Sequence, residues 1–470
     1  MTSPKDTKGQ DQATLEFLQR TFSKYYEKAK LELPDRFGRR EWGFMFFGRG
    51  SMLRHVALKS PEEVRSMLRN EAPAHSYHST AYYERPSAPT MKEKGWLGAD
   101  LIFDLDADHI EGSEKMSYEE MLSVVKREIL RLAEEFLLGD LGFDSKFVHF
   151  VFSGGRGYHI HVTDPSVLEL TSHERREIVD YITGVGLDLD PETVSPAAAK
   201  EGVLPRGIFR LEVVGGTGHG RYARAIKARR LPPRDSPGWE GRIARATIDL
   251  LAELEKMGEK QAVVRMTQLV KGPGKRGLGA ASARKMYSDL FDRPPSGESG
   301  ADKLRNTGIV DVFSREELAR WFFELIKETA GVKLERKGGG KGKEEAIDAR
   351  ITDVKATGET DEPVTSDIKR LIRLPTSLHG KTGFCVVPLA IDDVKAFDPL
   401  KDAVVLPDDP VKINAVKPLE FTLKGERVKL DPAKRPDVLP RYAAVFAMGR
   451  GAATLANKAS LGICVGKTGV

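Results

Sequence analysis

Cysteine is nearly absent: Cys385 and Cys464 are the only two in 470 residues. So low a count excludes a disulfide framework and fits a reducing, cytoplasmic setting. Long apolar runs are missing too. No stretch reaches the roughly 18 to 20 uncharged apolar residues that a membrane-spanning helix needs, and residues 1–12 lack the apolar segment of a secretion signal. Neither charge dominates, since 74 Lys and Arg against 69 Asp and Glu leave only +5. Nucleic acid is compatible with that balance, but many ordinary enzymes share it. No internal repeat of fixed period occurs. What is present is 40% apolar and 30% charged residues, the composition of a globular protein. The chain is longer than one hydrophobic core usually serves, so two or three compact parts are expected.

Residues 1–11 read as a disordered tail. Leu15, Leu18, Phe22, Tyr25, Tyr26 and Ala29 then recur at helical spacing, which predicts a helix up to the Leu33-Pro34 break. Short β-type runs follow at residues 41–47, 53–58 and 101–105. Residues 117–138 form a strong amphipathic pattern, with Leu122, Val125, Ile129 and Phe136 on its apolar side. Residues 147–152 and 158–162 read as strands joined by a glycine-rich link. After His173 the texture changes to helices at 174–182 and 242–257, separated by basic, Pro/Gly-rich links at 227–235 and 271–277. The stretch ERKGGGKGKEE at 335–345 reads as a flexible charged loop, after which a strand is expected at 384–389. The pattern predicts an α/β (α+β) fold. A mixed-sheet catalytic module, residues 12–183 and 344–406, is interrupted by a mostly helical insertion at 184–343 and followed by a C-terminal extension at 407–470.

Three segments carry chemistry. In LIFDLD, residues 101–106, Leu101, Phe103 and Leu105 point one way and Ile102, Asp104 and Asp106 the other. Carboxylates two apart on a strand lie about 6.6 Å apart on one face, and they repel unless a cation sits between them. Such a pair suits hard divalent ions whose other ligands are phosphate oxygens. Alone, it also fits a strand end with acids facing solvent. Asp108 continues the spacing but reads better as part of the exit loop.

The second segment is SGGRGYHIH, residues 153–161. Its three glycines allow backbone N–H groups to converge on an anion, Ser153 adds a hydroxyl and Arg156 a planar fork for phosphate oxygens. His159 and His161 share one face of the next strand, and His159 is placed to donate to a triphosphate. A plain hairpin with a solvated arginine is the alternative, and a zinc site on the two histidines lacks further ligands. The third segment, residues 360–383, predicts a short helix from Thr365 to before Pro375, with Lys369, Arg370 and Arg373 off its buried side and His379 and Lys381 on the turn beyond. A solvated basic helix face accounts for it equally well. Near-matches to nucleotide motifs fail on inspection. A P-loop needs glycine where Pro375 and Leu461 stand, and Gly272-Pro-Gly-Lys-Arg-Gly277 lies in a proline-containing basic link.

Taken in order, LIFDLD, SGGRGYH and DEPVT…RLIRLPTSLHGKTG resemble the small, catalytic subunit of archaeal and eukaryotic DNA primases, over residues 12–404. The resemblance implies that Asp104, Asp106 and Asp361 hold two Mg²⁺ or Mn²⁺ ions. It places Ser153, Arg156 and His159 on the nucleotide phosphates and Arg373, His379 and Lys381 around the triphosphate. Arg40, Glu41 and Arg54 match family positions near the initiating nucleotide. It further implies de novo primer synthesis from nucleoside triphosphates on a single-stranded DNA template. A large primase subunit would complete a heterodimer, in a cytoplasmic, nucleoid-associated setting away from membranes.

Two departures stand out. Some members carry Arg where Gly155 stands, so one phosphate contact is absent or supplied elsewhere. Many carry a Cys/His zinc knuckle between the first two motifs, whereas here that interval offers only His109 and His149, which argues against structural zinc. The rival readings are a primer-extending repair polymerase of the same superfamily and a non-catalytic subunit that binds single-stranded DNA. Retention of all three carboxylates weighs against the last.

Overall fold

The computed structural model describes residues 11–109, 113–189, 207–217, 224–270, 277–295, 297–332, 357–434 and 436–456. Most of the N-terminal tail, nearly all of the basic link at 271–277, the ERKGGGKGKEE stretch, Cys464 and Gly466 lie outside them. The chain forms two compact units, one of Met1–Glu134, Gly142–Glu177 and Thr360–Val470, the other of Glu135–Leu141 and Ile178–Glu359. Among the described residues no helix is long and apolar enough to cross a membrane.

In the first unit, Asp11 caps α1 (Gln12–Lys28), its carboxylate accepting from the Thr14 N–H at 2.7 Å. The apolar periodicity extends to Leu33, but the helix stops at Lys28. Arg65 donates to the Tyr26 and Ala29 carbonyls, and Ala29 turns extended at φ −62°, ψ 135°. The chain then lays down β1 (Trp42–Met45), β2 (Met52–Val56), α2 (Pro61–Glu71) and β3 (His75–Ser79). β4 (Ala81–Tyr83), α3 (Met91–Lys94) and β5 (Trp96–Ala99) lead into β6 (Leu101–Asp106). α4 (Tyr118–Arg131) opens on a capping box between Ser117 and Glu120 and continues as a π-helical stretch, Leu132–Asp140. β7 (Val148–Phe152), β8 (Gly157–Val162) and α5 (Ser172–Thr183) follow.

The second unit holds an antiparallel pair, β9 (Arg210–Thr217) with β10 (Arg224–Arg230), and the helices α6 (Gly238–Leu269), α7 (Ala280–Phe291), α8 (Gly300–Thr307) and α9 (Glu316–Ala330). The first part of the basic link expected at 227–235 is therefore strand. Arg229 draws it into the unit, donating to Asp311 at 2.7 Å and Glu316 at 3.0 Å. α6 is broken at Gly258, whose φ is 71°. Arg242 lies 4.0 Å over the Phe136 ring and pairs with Glu135 and Asp140.

The chain re-enters the first unit through α10 (Glu362–Ser366), β11 (Leu371–Arg373), β12 (Val387–Leu389) and α11 (Ile391–Ala396). It ends in β13 (Pro410–Ala415), β14 (Leu419–Leu423), β15 (Glu426–Leu430), β16 (Asp437–Pro440), α12 (Arg441–Gly449) and β17 (Ala453–Leu455). The main sheets have the orders β11-β3-β1-β2 and β12-β7-β8-β6, with a third of order β16-β13-β17. Pairing within them is antiparallel throughout. The fold is α+β, with helices and strands in several small sheets.

Two expectations for residues 360–389 change. The helix predicted from Thr365 instead spans Glu362–Ser366, started by Pro363 at its first turn. Residues 371–373 are strand because β3 offers an open edge, and Arg373 pairs with Tyr77 in its register. The strand expected at 384–389 is confined to Val387–Leu389. Phe384 and Val386 instead close the preceding loop through bonds with His379, Thr376 and Ser377.

β8 is an interior strand of the β12-β7-β8-β6 sheet, and all six of its residues are buried. α4 packs against it and β6, while Ile102 on the acidic face of β6 packs with Val364 of α10 and Ile372 of β11. Burial of each such side chain contributes about 1.5–3 kcal/mol, which holds the third segment on the acidic strand.

Candidate active site

β6 and β8 pair so that Asp104 stands opposite His159 and Asp106 opposite Gly157. Gly157 is required there, because a Cβ would come within 2.3 Å of the Leu105 carbonyl oxygen. Arg175 fixes the entry to the strand from below, its buried guanidinium donating to the Ala99 and Asp100 carbonyls at 2.8 and 2.7 Å. Asp104 and Asp106 share a face, 20% and 36% exposed. Asp361, at the start of α10, donates its backbone N–H to the Asp104 carbonyl at 2.9 Å, and its side chain does not cap the helix. The third carboxylate residue thus sits one hydrogen bond from the acidic pair. Among the described residues no three His, Cys, Asp or Glu side chains converge into an all-protein metal cage. The donor set is one of hard carboxylate oxygens in an open position, and Mg²⁺ characteristically takes one or two carboxylates with substrate phosphates completing its shell. The residues fit such an ion.

His159 places Nε2 3.4 Å from the Asp104 carboxylate, while its Nδ1 has no hydrogen-bond partner. Burial, with nearby His161, Arg373 and Arg370, holds its pKa well below the usual histidine range. Arg156 lies on the acidic face as well, paired with Asp108 and 3.5 Å from Asp106. Asp108, in the turn after β6, is therefore the arginine's partner. In the loop, Gly154 has φ +73° and Ser153 Oγ accepts from the Gly155 and Gly157 N–H groups at 3.3 Å each. Two of the N–H groups expected to face an anion are thus turned onto the buried Ser153 oxygen.

The third segment locks onto this loop. Thr382 donates to the Gly154 carbonyl at 2.6 Å and meets His379 Nδ1 at 3.1 Å. A Cβ on Gly154 would lie 2.8 Å from His379, and one on Gly155 3.4 Å from His379 Nε2. Arg373 donates to His75 Nδ1 at 2.8 Å and lies over the Tyr77 ring. His75 Nδ1 also accepts from Gly380, and its ring packs edge-on against His379 at 4.7 Å. Burial and the neighbouring Arg373 and Lys381 hold both His75 and His379 neutral, with pKa values well below the ordinary one.

All the residues singled out in the three segments therefore lie in one unit, with hydrogen bonds linking each segment to another. Arg40 is different. It is buried and donates to Asp35, Ser79, Thr80, Tyr82 and Asp100, so it builds the fold. Glu41 is likewise enclosed, between Arg54 and Lys94. His75, Thr382 and Tyr118, whose hydroxyl donates to the Gly155 carbonyl, were not singled out from the sequence. His75 stands in an unremarkable strand, and nothing local ties it to a partner 298 positions away.

An acidic strand paired along its length with the strand that leaves a basic glycine loop, both inside an α+β module, is the arrangement expected of a nucleotidyltransferase. The family described as DNA primase small subunit matches residues 103–220, from the acidic strand through the glycine loop and beyond. The chain is 43% identical over 441 residues to the DNA primase small subunit PriS of Methanothrix thermoacetophila, covering 93% of this chain and 98% of that protein. It is 39% identical over 443 residues to PriS of Methanocella arvoryzae, covering 94% and 98%. With PriS of Methanococcoides burtonii it shares 40% identity over 446 residues, covering 94% and 99%. The chain belongs to the DNA primase small-subunit family.

Proposed function

We propose that this primase starts short primers de novo on single-stranded DNA, joining nucleoside triphosphates with release of pyrophosphate, and that it works as a heterodimer with a large primase subunit. The observation that carries the reading is the stitching of three distant segments. β6 pairs with β8, Asp361 bonds to Asp104, and Thr382 bonds to Gly154.

Asp104, Asp106 and Asp361 would hold two divalent cations, Mg²⁺ or Mn²⁺. When bound, these supply Lewis acidity at the attacking 3′-hydroxyl and at the α-phosphate. Arg156 exchanges its contacts with Asp106 and Asp108 for phosphate oxygens, which its planar fork can meet with two parallel N–H groups. The Ser153 hydroxyl donates a hydrogen bond to a phosphate oxygen while the Gly155 and Gly157 N–H groups hold its oxygen in place. His159, Arg373, His379 and Lys381 grip the triphosphate, and the cationic Arg373 and Lys381 neutralise the departing pyrophosphate as the bond from the α-phosphorus to the bridging oxygen breaks. No protein nucleophile takes part. The template lies along the protein through backbone contacts, with binding that weakens as salt rises.

The test is synthesis from unprimed single-stranded DNA, labelled nucleotides and Mg²⁺ or Mn²⁺, beside the Asp104→Ala/Asp106→Ala variant. New short strands that vanish in the variant are the expected result. Extension only of supplied primers, with the large subunit added, would make the chain a repair-type polymerase. Binding without synthesis under the same conditions would make it a non-catalytic subunit.

A further inference from the structure

α12 closes the first unit against the loop that carries His379 and Lys381. The fit is tight: a Cβ on Gly449, the last residue of the helix, would lie 2.6 Å from the Lys381 carbonyl and 2.8 Å from that of Gly380. On the same helix Val445 presses on Gly383, where a Cβ would meet it at 2.7 Å. The residue delivered next to this contact is Arg450. Its guanidinium carbon lies 4.6 Å over the Tyr118 ring and 4.3 Å over the Phe446 ring. The Tyr118 hydroxyl, in turn, donates to the Gly155 carbonyl of the glycine loop. Arg450 is therefore anchored by its stem and by stacking at the point where the glycine loop and the His379 turn meet.

Its electrostatic surroundings are one-sided. Among the described residues no carboxylate pairs with Arg450. It acts on His379 as one of four positive or potentially positive neighbours, with Arg373, His75 and Lys381. Desolvation, and after it the charge of Arg156, hold its own pKa below the usual arginine range, against the opposing interaction and hydrogen bond with the Tyr118 hydroxyl. An arginine stacked on two rings, partly desolvated, without a carboxylate of its own and beside other cations gains from an anion that joins them. Position 155, between Tyr118 and His379, carries no side chain that would block one.

We propose that Arg450 is a further phosphate-binding residue, which contacts the outer phosphates of the incoming nucleoside triphosphate from the C-terminal end of α12. The inference rests on the nucleotide site proposed above and extends it to a segment whose sequence gives no sign of function. Tyr118 and Phe446 act as positioning residues that hold the guanidinium flat.

The experiment measures binding of inorganic tripolyphosphate to the full chain, in Arg450→Gln and Arg450→Lys beside the parent. Gln keeps the stem and loses the charge, whereas Lys keeps the charge. Tripolyphosphate affinity should fall about tenfold in Arg450→Gln, equivalent to ~1.4 kcal/mol, and recover most of that in Arg450→Lys. Adenosine binding and the thermal midpoint should stay at parental values in both. Parental tripolyphosphate affinity in Arg450→Gln would overturn the proposal, as would an equal loss in both variants, which would make the stacking rather than the charge decisive. A failure of the catalytic reading shows differently, as primer synthesis that persists in Asp104→Ala/Asp106→Ala.

Discussion

Thr382 has one hydroxyl proton and gives it to the Gly154 carbonyl. Towards His379 it can only accept, so the imidazole carries its proton on Nδ1 and its lone pair on Nε2, the atom nearest Gly155. Burial, Arg373, His75, Lys381 and Arg450 all disfavour a second proton. A bound triphosphate reverses that field, and the ring donates from Nε2 only once it is protonated. Nucleotide binding should therefore take up a proton, with affinity for a non-hydrolysable nucleotide rising from pH 8 to pH 6 more steeply in the parent than in His379→Gln. Equal slopes in a binding titration would contradict this. The same neutrality affects stability. His78, His161 and His379 are buried and His75 is partly so, all with depressed pKa values, His161 at about 4. Their contribution is present above the unfolded value near pH 6.5 and is lost as pH falls, because the unfolded chain then binds protons that the folded one does not. Each costs up to about 2 kcal/mol by pH 5, so urea midpoints should drop steeply between pH 7 and pH 5. A flat profile would mean these rings protonate in place. That Asp104 and Asp106 share a face of one strand was legible from alternation, whereas the place of Asp361 beside them was suggested only by its motif. His75 and Arg450 left no sequence signal, since their significance lies in neighbours brought in by other strands.

At the scale of elements, the pairing of β6 with β8 decides the site. Gly157→Ala would force a methyl group against the Leu105 carbonyl, and overpacking of this kind costs about 1–3 kcal/mol or more. The variant should lose thermal stability and, with it, the register that sets Asp104 opposite His159. Parental melting with parental primer synthesis would show that the strands separate more easily than their geometry implies. Periodicity identified α1 and α4 well, because each has one long buried face, and the short apolar runs of β6, β7 and β8 marked them as strands of a buried sheet. It failed at residues 365–374, where Ile368, Leu371 and Ile372 suit a helix as well as a strand. The open edge of β3 decided the outcome at 371–373, and an edge is a tertiary fact. α1 ended early for a similar reason, its last carbonyls taken by Arg65.

At the scale of the whole molecule, the first unit is assembled from three stretches of chain, and the second from an interruption together with residues 135–141. The sequence showed the interruption as a change of texture, but it gave no hint that a short piece of the α4 continuation would join Ile178–Glu359. Carboxylates from two of the first unit's three stretches form the proposed cation site, and none of them makes a cage by itself. The central claim is that the cations are held jointly by this assembly and by the nucleotide. Mn²⁺ binding followed by electron paramagnetic resonance, with and without a non-hydrolysable nucleoside triphosphate, tests it most directly. Weak binding of Mn²⁺ alone, tight binding with nucleotide, and loss of the tight state in Asp361→Ala are predicted. Tight binding without nucleotide, or a tight state indifferent to Asp361, would contradict the account.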